Sequence, residues 1–470
     1  MFQKFNYNYF KSKRFLLFIF FGSLISLFLI NNYSKINFNF LKGKIPNTIK
    51  KNIKRKILPF QFIKDLEKRN SEIKSKYKKV VNKLSAENDI RIKKSLENLY
   101  FKSFDEKIKL DAINKYLTKY NPQKNRLSYG IFNPYPGSAY LDFYQNKLFI
   151  VSSIGIVGFS ELDHDYLEFK QISNNIDKFL GKEQLVRKNN FTYNASIKDV
   201  KIFNGNIFVS LTNEIKKDCW NLTILKGNLN YKEINFSSIF SPKECISSLN
   251  KKNYEFRIGQ SGGRIINLDS KNIVFSVGDF RNRNLAQNDD SFYGKILKLN
   301  IENNQILTLS KGHRNPQGLY YYKDANTILS TEHGPQGGDE INIIKISEDL
   351  QNYGWPVASY GEHYGGKNKE NKNKYKKFPL LKSHSKNGFV EPLLYFSPSI
   401  GISEITMLPD KTIVFSSLKD KSLYFSKMEN FKLKNLKKVY IGERIRDILL
   451  IEKSLYMYLE DSASIGKINL

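Results

Sequence analysis

The residues best suited to chemistry stand in three stretches: GHRNPQGL (312–319), STEHGPQGGDEIN (330–342) and NYGWPVASYGEHYGG (352–366). His, Glu and Asp occur there beside crowded glycine and proline. Gly334-Pro335 and Gly337-Gly338 force exposed turns, whose carbonyl oxygens cannot all pair within a sheet. Such oxygens beside carboxylates suit a hard cation such as calcium, which takes about six to eight oxygen ligands. A tightly turned structural loop would use the same residues, so both readings stand at this point.

The elements that must hold these turns form a repeat. A short apolar segment, a polar turn and a β-branched or aromatic strand recur in LDFYQNKLFIVSS (141–153), VKIFNGNIFVSLT (200–212), IINLDSKNIVFSVGD (265–279), LYYYKDANTILSTEHG (319–334), ITMLPDKTIVFSSLKD (405–420) and ILLIEKSLYMYLED (448–461). Each copy has hairpin chemistry, and the mean spacing is near the length of a four-stranded blade. One hairpin cannot bury both faces, but radial stacking can. The pattern predicts an all-β fold, a six-bladed β-propeller, with a β-sandwich pair as the structural alternative. If the second strand of each hairpin is the inner one, the loops Asp279–Asn282, Glu332–Glu340 and Lys419–Asp420 meet at one mouth, where function commonly sits.

GHRNPQGL, EHGPQGGDEIN and NYGWP together resemble the glucose/sorbosone dehydrogenase family of soluble, pyrroloquinoline-quinone (PQQ)-dependent aldose dehydrogenases. SGGRI (261–265), VGDFRN (277–282), GKILKLN (294–300), SLKDKSLY (417–424) and GERIRDI (442–448) agree in order. The resemblance spans roughly 135–470 and implies a six-bladed propeller. It also implies a planar ortho-quinone cofactor with three carboxylates, which needs several cations; guanidinium groups match carboxylates well. By resemblance, Arg281 and Asn282 lie at the cofactor and substrate position, Lys419 is the quinone-binding lysine, and Arg444 and Arg446 are the paired arginines. On one strand that pair would share a face. The family's cofactor calcium maps to the carbonyls of Gly334 and Pro335, a second calcium to Glu340 and the carbonyl of Tyr353, and Asp339 stands beside them toward substrate.

One position departs from the family. Its catalytic histidine, in an H-x-x-G-R stretch, takes the sugar's hydroxyl proton. Aligned on Gly263-Arg264, that position holds Gln260. An amide has no useful basicity near neutral pH, and losing a general base typically costs about 10²–10⁴-fold in rate. Of the five histidines, His333 directly precedes the Gly334-Pro335 turn and is the best substitute, whereas His313 reads as a loop brace.

Ahead of the propeller, residues 15–30 are uncharged and apolar, and Lys11, Lys13 and Arg14 precede them. No small-residue cleavage site follows, so an uncleaved signal anchor is favoured over a cleaved signal, within a segment 1–40 whose amino end is cytoplasmic. Residues 41–126 are Lys- and Glu-rich and read as a helical stalk, leaving 127–470 for the propeller. The bulk then lies in the periplasm at an inner membrane, near a quinone or cytochrome electron acceptor. Cys219 and Cys245 are the only cysteines and could close a disulfide in such a compartment; two free buried thiols are the other reading. The net charge of +31 accompanies abundant Lys, Asn, Ile, Phe and Tyr along the whole chain. Without a helix-turn-helix, zinc-finger spacing or basic stripe, it argues against nucleic-acid binding. The expected activity is oxidation of an aldose or related alcohol. The alternatives are a catalytically impaired propeller that binds carbohydrate or protein, and a structural envelope role.

Overall fold

The computed structural model describes residues 65–77, 80, 98–110, 113–122, 139–180, 196–249, 255–347 and 349–470. The expected membrane anchor at 15–30 lies outside them. Among the described residues no helix is long and apolar enough to cross a membrane. The chain divides into two compact units, Met1–Val81 and Asn82–Leu470. In the first, residues 65–77 are helical and almost wholly exposed.

The second unit is built from strands. In chain order they are β1 (Leu99–Leu110), β2 (Ile113–Pro122), β3 (Ala139–Tyr144), β4 (Lys147–Ser152), β5 (Val157–Glu161), β6 (Tyr166–Asn174), β7 (Ile197–Phe203), β8 (Asn206–Lys216), β9 (Cys219–Asn228), β10 (Glu233–Ile234) and β11 (Ser237–Phe240). There follow β12 (Gly262–Asn267), β13 (Asn272–Val277), β14 (Lys295–Asn300), β15 (Ile306–Lys311), β16 (Pro316–Tyr322), β17 (Thr327–Glu332), β18 (Asp339–Lys345), β19 (Gln351–Asn352) and β20 (Leu394–Phe396). The last are β21 (Ile402–Met407), β22 (Thr412–Ser417), β23 (Ser422–Glu429), β24 (Lys432–Tyr440), β25 (Ile445–Ile451), β26 (Ser454–Leu459) and β27 (Ser464–Asn469). Antiparallel neighbours form the runs β3-β4-β5-β6, β7-β8-β9-β11, β12-β13-β14-β15, β16-β17-β18-β20, β21-β22-β23-β24 and β25-β26-β27. Tight turns join them: Gln145 and Asn146 between β3 and β4 take φ of 48° and 58°, the left-handed pair that a two-residue hairpin demands.

The first strand of each run, not the second, is innermost. β3, β7, β12, β16, β21 and β25 touch one another in cyclic order, and the last touches the first. The second strands are instead buried on both faces between neighbouring sheets, as in Ile273–Val277 of β13 and Ile413–Ser417 of β22. Their continuous apolar runs reflect that double burial, which is why they read as the inner strands.

Every joint of the ring carries a bond between a side chain and the neighbouring backbone. Asp142 of β3 accepts from Ile202 N–H of β7 (2.5 Å), and Asp199 of β7 accepts from Ile265 N–H of β12 (2.6 Å). Arg264 Nε of β12 donates to the Gln317 carbonyl of β16 (3.0 Å), and Leu319 N–H of β16 donates to Glu404 of β21 (3.2 Å). Ser403 Oγ of β21 donates to the Arg446 carbonyl of β25 (2.7 Å), and Leu141 N–H of β3 donates to Asp447 of β25 (2.7 Å). Apolar clusters fill the wedges between sheets, such as Tyr140, Phe149, Val151, Ile197 and Val209. Cys219 and Cys245 form a disulfide.

Residues 99–110 and 113–122 are not helical stalk. They form the β1–β2 hairpin, in which Leu99 and Phe101 are buried while Lys102 is exposed, a period of two. β1 pairs with β6 (Leu99↔Phe169, Phe101↔Leu167), and β2 pairs with β27 (Leu117↔Ile468, Tyr120↔Ile465). Lys119 is nearly buried between Glu106 (2.7 Å) and Glu443 (2.8 Å). Mixed Lys and Glu with spaced apolar residues fits a helix or an edge strand. Two sheets with unfilled edges decide in favour of the strand, so the β body begins ahead of residue 127.

Candidate functional site

The opening residues of the innermost strands, with the loops beside them, enclose a cavity of about 500 Å³. Arg281, Lys419, Arg444 and Arg446 all line it, although they come from three separate segments. Arg444 and Arg446 share one face at the start of β25, and both reach Glu460: Arg444 Nε lies 3.0 Å and Arg446 Nε 2.6 Å from its oxygens. Arg446 also donates to Gln317 Oε1 (3.1 Å). Arg281 follows β13 in a strained turn where Phe280 and Arg281 take φ of 49° and 69°. Non-glycine residues avoid that region. Asp279 enforces it by accepting Arg281 N–H (2.7 Å) while taking Trp355 Nε1–H (2.9 Å). The Arg281 guanidinium lies 5.1 Å over the Tyr364 ring and 3.4 Å from Glu255. Burial, reinforced by Arg283 and Arg314, pulls its pKa down. Cations crowded in this way repel one another, so an anionic guest is favoured.

Gly334 and Pro335 line the same cavity. Their loop is folded onto itself, because a Cβ at Gly334 would come within 2.1 Å of the Gly338 carbonyl oxygen. Asp339 also lines the cavity, but its carboxylate braces the loop: it accepts N–H groups from Gly334 (3.0 Å), Gly401 (2.7 Å) and Ile402 (3.1 Å). Glu340 and Tyr353 do not line the cavity. Glu340 is buried opposite Glu332 in the β17–β18 ladder, and burial, then Glu332, push its carboxyl well above the usual range. His384 Nε2 stands 3.5 Å from Glu340 Oε1.

Gln260 lines the cavity and is nearly buried. Its amide is held with the nitrogen donating to Asp279 Oδ1 (3.2 Å) and the oxygen accepting from Arg314 Nη2 (2.8 Å). His333 lines it too, and burial lowers its pKa to about 4. Asn282 lies outside the lining, with its N–H bonded to the Asp279 carbonyl (2.7 Å). His313 is a buried brace between Ser310 Oγ and Glu332 (both 2.8 Å).

Several lining groups carry no local signature. Lys198 on β7 and Tyr140 on β3 sit in ordinary strand patterns. Arg314 and Asn315 lie inside GHRNPQGL, where their signal was their company. Arg314 is locked by the His333 carbonyl (2.7 Å) and lies 5.5 Å over Trp355.

Several cations over one capped carboxylate fit a polycarboxylate quinone. Two neutral backbone oxygens at Gly334 and Pro335 fit a calcium ion whose remaining ligands come from an anionic guest or water. Among the described residues, no group of three His, Cys, Asp or Glu is arranged to hold a metal by itself.

A family model described as Glucose / Sorbosone dehydrogenase matches residues 203–469. The aldose sugar dehydrogenase YliI of Escherichia coli is 29% identical over 226 residues, 43% of this chain and 57% of that protein. An uncharacterized protein of Synechocystis sp. is 29% identical over 231 residues, 41% and 53% of the two chains. The chain thus spans about half the length of the curated relatives it matches. The soluble aldose sugar dehydrogenase of Escherichia coli in its apo-form superposes with a TM-score of 0.55 at 20% identity, covering 70% of this chain and 95% of that one. The PQQ-bound aldose sugar dehydrogenase of Streptomyces coelicolor gives 0.52 at 15% identity, covering 72% and 96%. At such identities the likeness is one of fold, an all-β propeller.

Proposed function

The chain belongs to the glucose/sorbosone dehydrogenase family, and on that premise we propose that it oxidises an aldose or related alcohol with PQQ and calcium. The observation that carries this reading is the meeting of Arg281, Lys419, Arg444 and Arg446 with Gly334 and Pro335 around one cavity. The cyclic contact of six innermost strands supports six blades. The apolar run 15–30 supports a single-pass anchor, with the body in the periplasm and electrons leaving to a quinone or cytochrome.

In the mechanism the chain binds and orients. Lys419, Arg444, Arg446 and Arg281, the last fixed by its Asp279-bound turn, would hold the cofactor's carboxylates. Asp339 keeps the Gly334-Pro335 carbonyls in place for the cation. When bound, calcium supplies Lewis-acid polarisation of the quinone carbonyl. Gln260 positions through its amide and takes no proton.

The test uses the full chain with calcium and PQQ. A shifted quinone absorption spectrum and aldose-dependent dye reduction are expected, and failure to take up the quinone sinks the reading. Uptake without dye reduction selects the second reading, a propeller that binds sugar or protein without turnover, which Gln260 at the family's histidine position favours.

A further inference from the structure

With Gln260 unable to act as a base, the reacting hydroxyl needs another proton acceptor. The cavity wall offers few. The Asp339 carboxylate is committed to three backbone N–H groups. His333 faces the Asn315 amide through Nδ1 (3.5 Å) and directly precedes the Gly334-Pro335 turn assigned to the cation. Tyr140, pushed up to about 12 by burial, keeps its own proton. Lys419 is exposed to water.

Lys198 differs from all of these. It is the second residue of β7, lines the cavity and is half-buried. Its stem packs on Gly263, where a Cβ would come within 2.3 Å of the Lys198 Cβ. Gly263 has a φ of 112° and is pinned by its N–H to Ser276 Oγ (3.1 Å) and its carbonyl to Ser210 Oγ (2.5 Å). A side chain at 263 would displace Lys198, so the glycine makes the room in which the lysine sits. Gln260 is three residues before Gly263 and lines the same cavity.

We propose that Lys198 takes the hydroxyl proton of the substrate, the task that Gln260 cannot perform. This rests on the quinone-dependent reading above. The O–H proton passes to the Lys198 amine, the hydrogen of the neighbouring C–H bond passes with its electron pair, as hydride, to the ortho-quinone, which is reduced by two electrons, and a C=O bond forms. The ammonium then returns its proton to water. Burial, and after it the Arg446 guanidinium, lower the Lys198 pKa to about 7, against the pull of Glu460. Tyr140 shares these neighbours. In the cofactor-free chain a neutral amine is therefore populated near physiological pH.

The test combines chemical labelling with turnover in the full chain. In the cofactor-free protein, the rate of amine acylation at Lys198, followed by mass spectrometry, should show a midpoint near 7; a midpoint in the ordinary lysine range, about 10, overturns the assignment. Lys198→Arg keeps the charge but cannot act as a base. It should retain quinone uptake and lose sugar-dependent dye reduction by about 100-fold, as should Lys198→Met. An unchanged rate in Lys198→Arg overturns the assignment alone, even if Lys198→Met is inactive, because charge and not basicity would then be what matters. If the unmutated chain takes up no quinone, the functional reading falls and this assignment falls with it.

Discussion

The two ends of the strand ring use charge in opposite ways. At one end, the opening residues of the innermost strands bring Lys198, Arg444 and Arg446 to the cavity, where Arg281, Arg314 and Lys419 join them. At the other, later residues of the same strands line a second cavity of about 460 Å³, with Asp142, Asp199, Glu404 and Asp447 around Arg264 and Lys201. Arg264 reaches Asp199 and Asp447 at 2.8 Å each and also pairs with Glu404. Lys201 lies 2.9 Å from Asp142. Each of these four carboxylates and two cations has a partner there, and the carboxylates also tie neighbouring strands. At the first end the cations outnumber the anions near them. Charge that is matched locally serves the scaffold, whereas charge left in excess marks where a guest belongs.

The largest expected effect breaks the matched end. Arg264→Met leaves buried carboxylates without their cation and should cost about 3–5 kcal/mol of stability, measured by denaturant unfolding. An unchanged midpoint would remove the scaffold half of the contrast. At the other end, Lys419→Met should leave stability within about 0.5 kcal/mol yet weaken quinone binding about 10–100-fold, the worth of one charge-assisted contact, read by spectral titration. Gln260→His would place an imidazole beside Asp279 Oδ1 and, added to the Lys198→Arg chain, should restore aldose-dependent dye reduction at least about tenfold, a cautious fraction of the general-base range.

The smallest effect is a pH slope. Burial raises Asp199 to about 7 and also raises Glu404 and Asp447. These folded-state values lie above the unfolded ones, so between about 4 and about 7 the folded chain holds more protons. Stability contributed by these groups is therefore lost as pH rises through that window, at up to about 1.4 kcal/mol per pH unit for each proton. Asp199→Asn should flatten the slope in unfolding measurements from pH 4.5 to 7.5.

The repeat was legible because each hairpin carries its own turn chemistry, as at Gln145-Asn146. Which strand faces the axis was not, because β13 and β22 owe their apolar runs to burial between sheets. The cations in long motifs could be placed by their neighbours: Lys419, Arg444 and Arg446 reach the cavity from SLK and RIR. Lys198 could not, since its role depends on the space left by Gly263 on another strand. Residues 99–110 and 113–122 misled for a related reason. Their pairing partners, β6 and β27, are distant in sequence, and only the assembled sheets show the vacant edges.

The β1–β2 hairpin joins the outer strand of the first run to the last strand of the final one. It is thus the latch of a circular wall, and what it fastens includes the arginine pair of β25. A recombinant fragment cut at residue 127 would discard that latch and leave a seam beside Glu443, so a shortened protein for biochemistry should start upstream of Leu99.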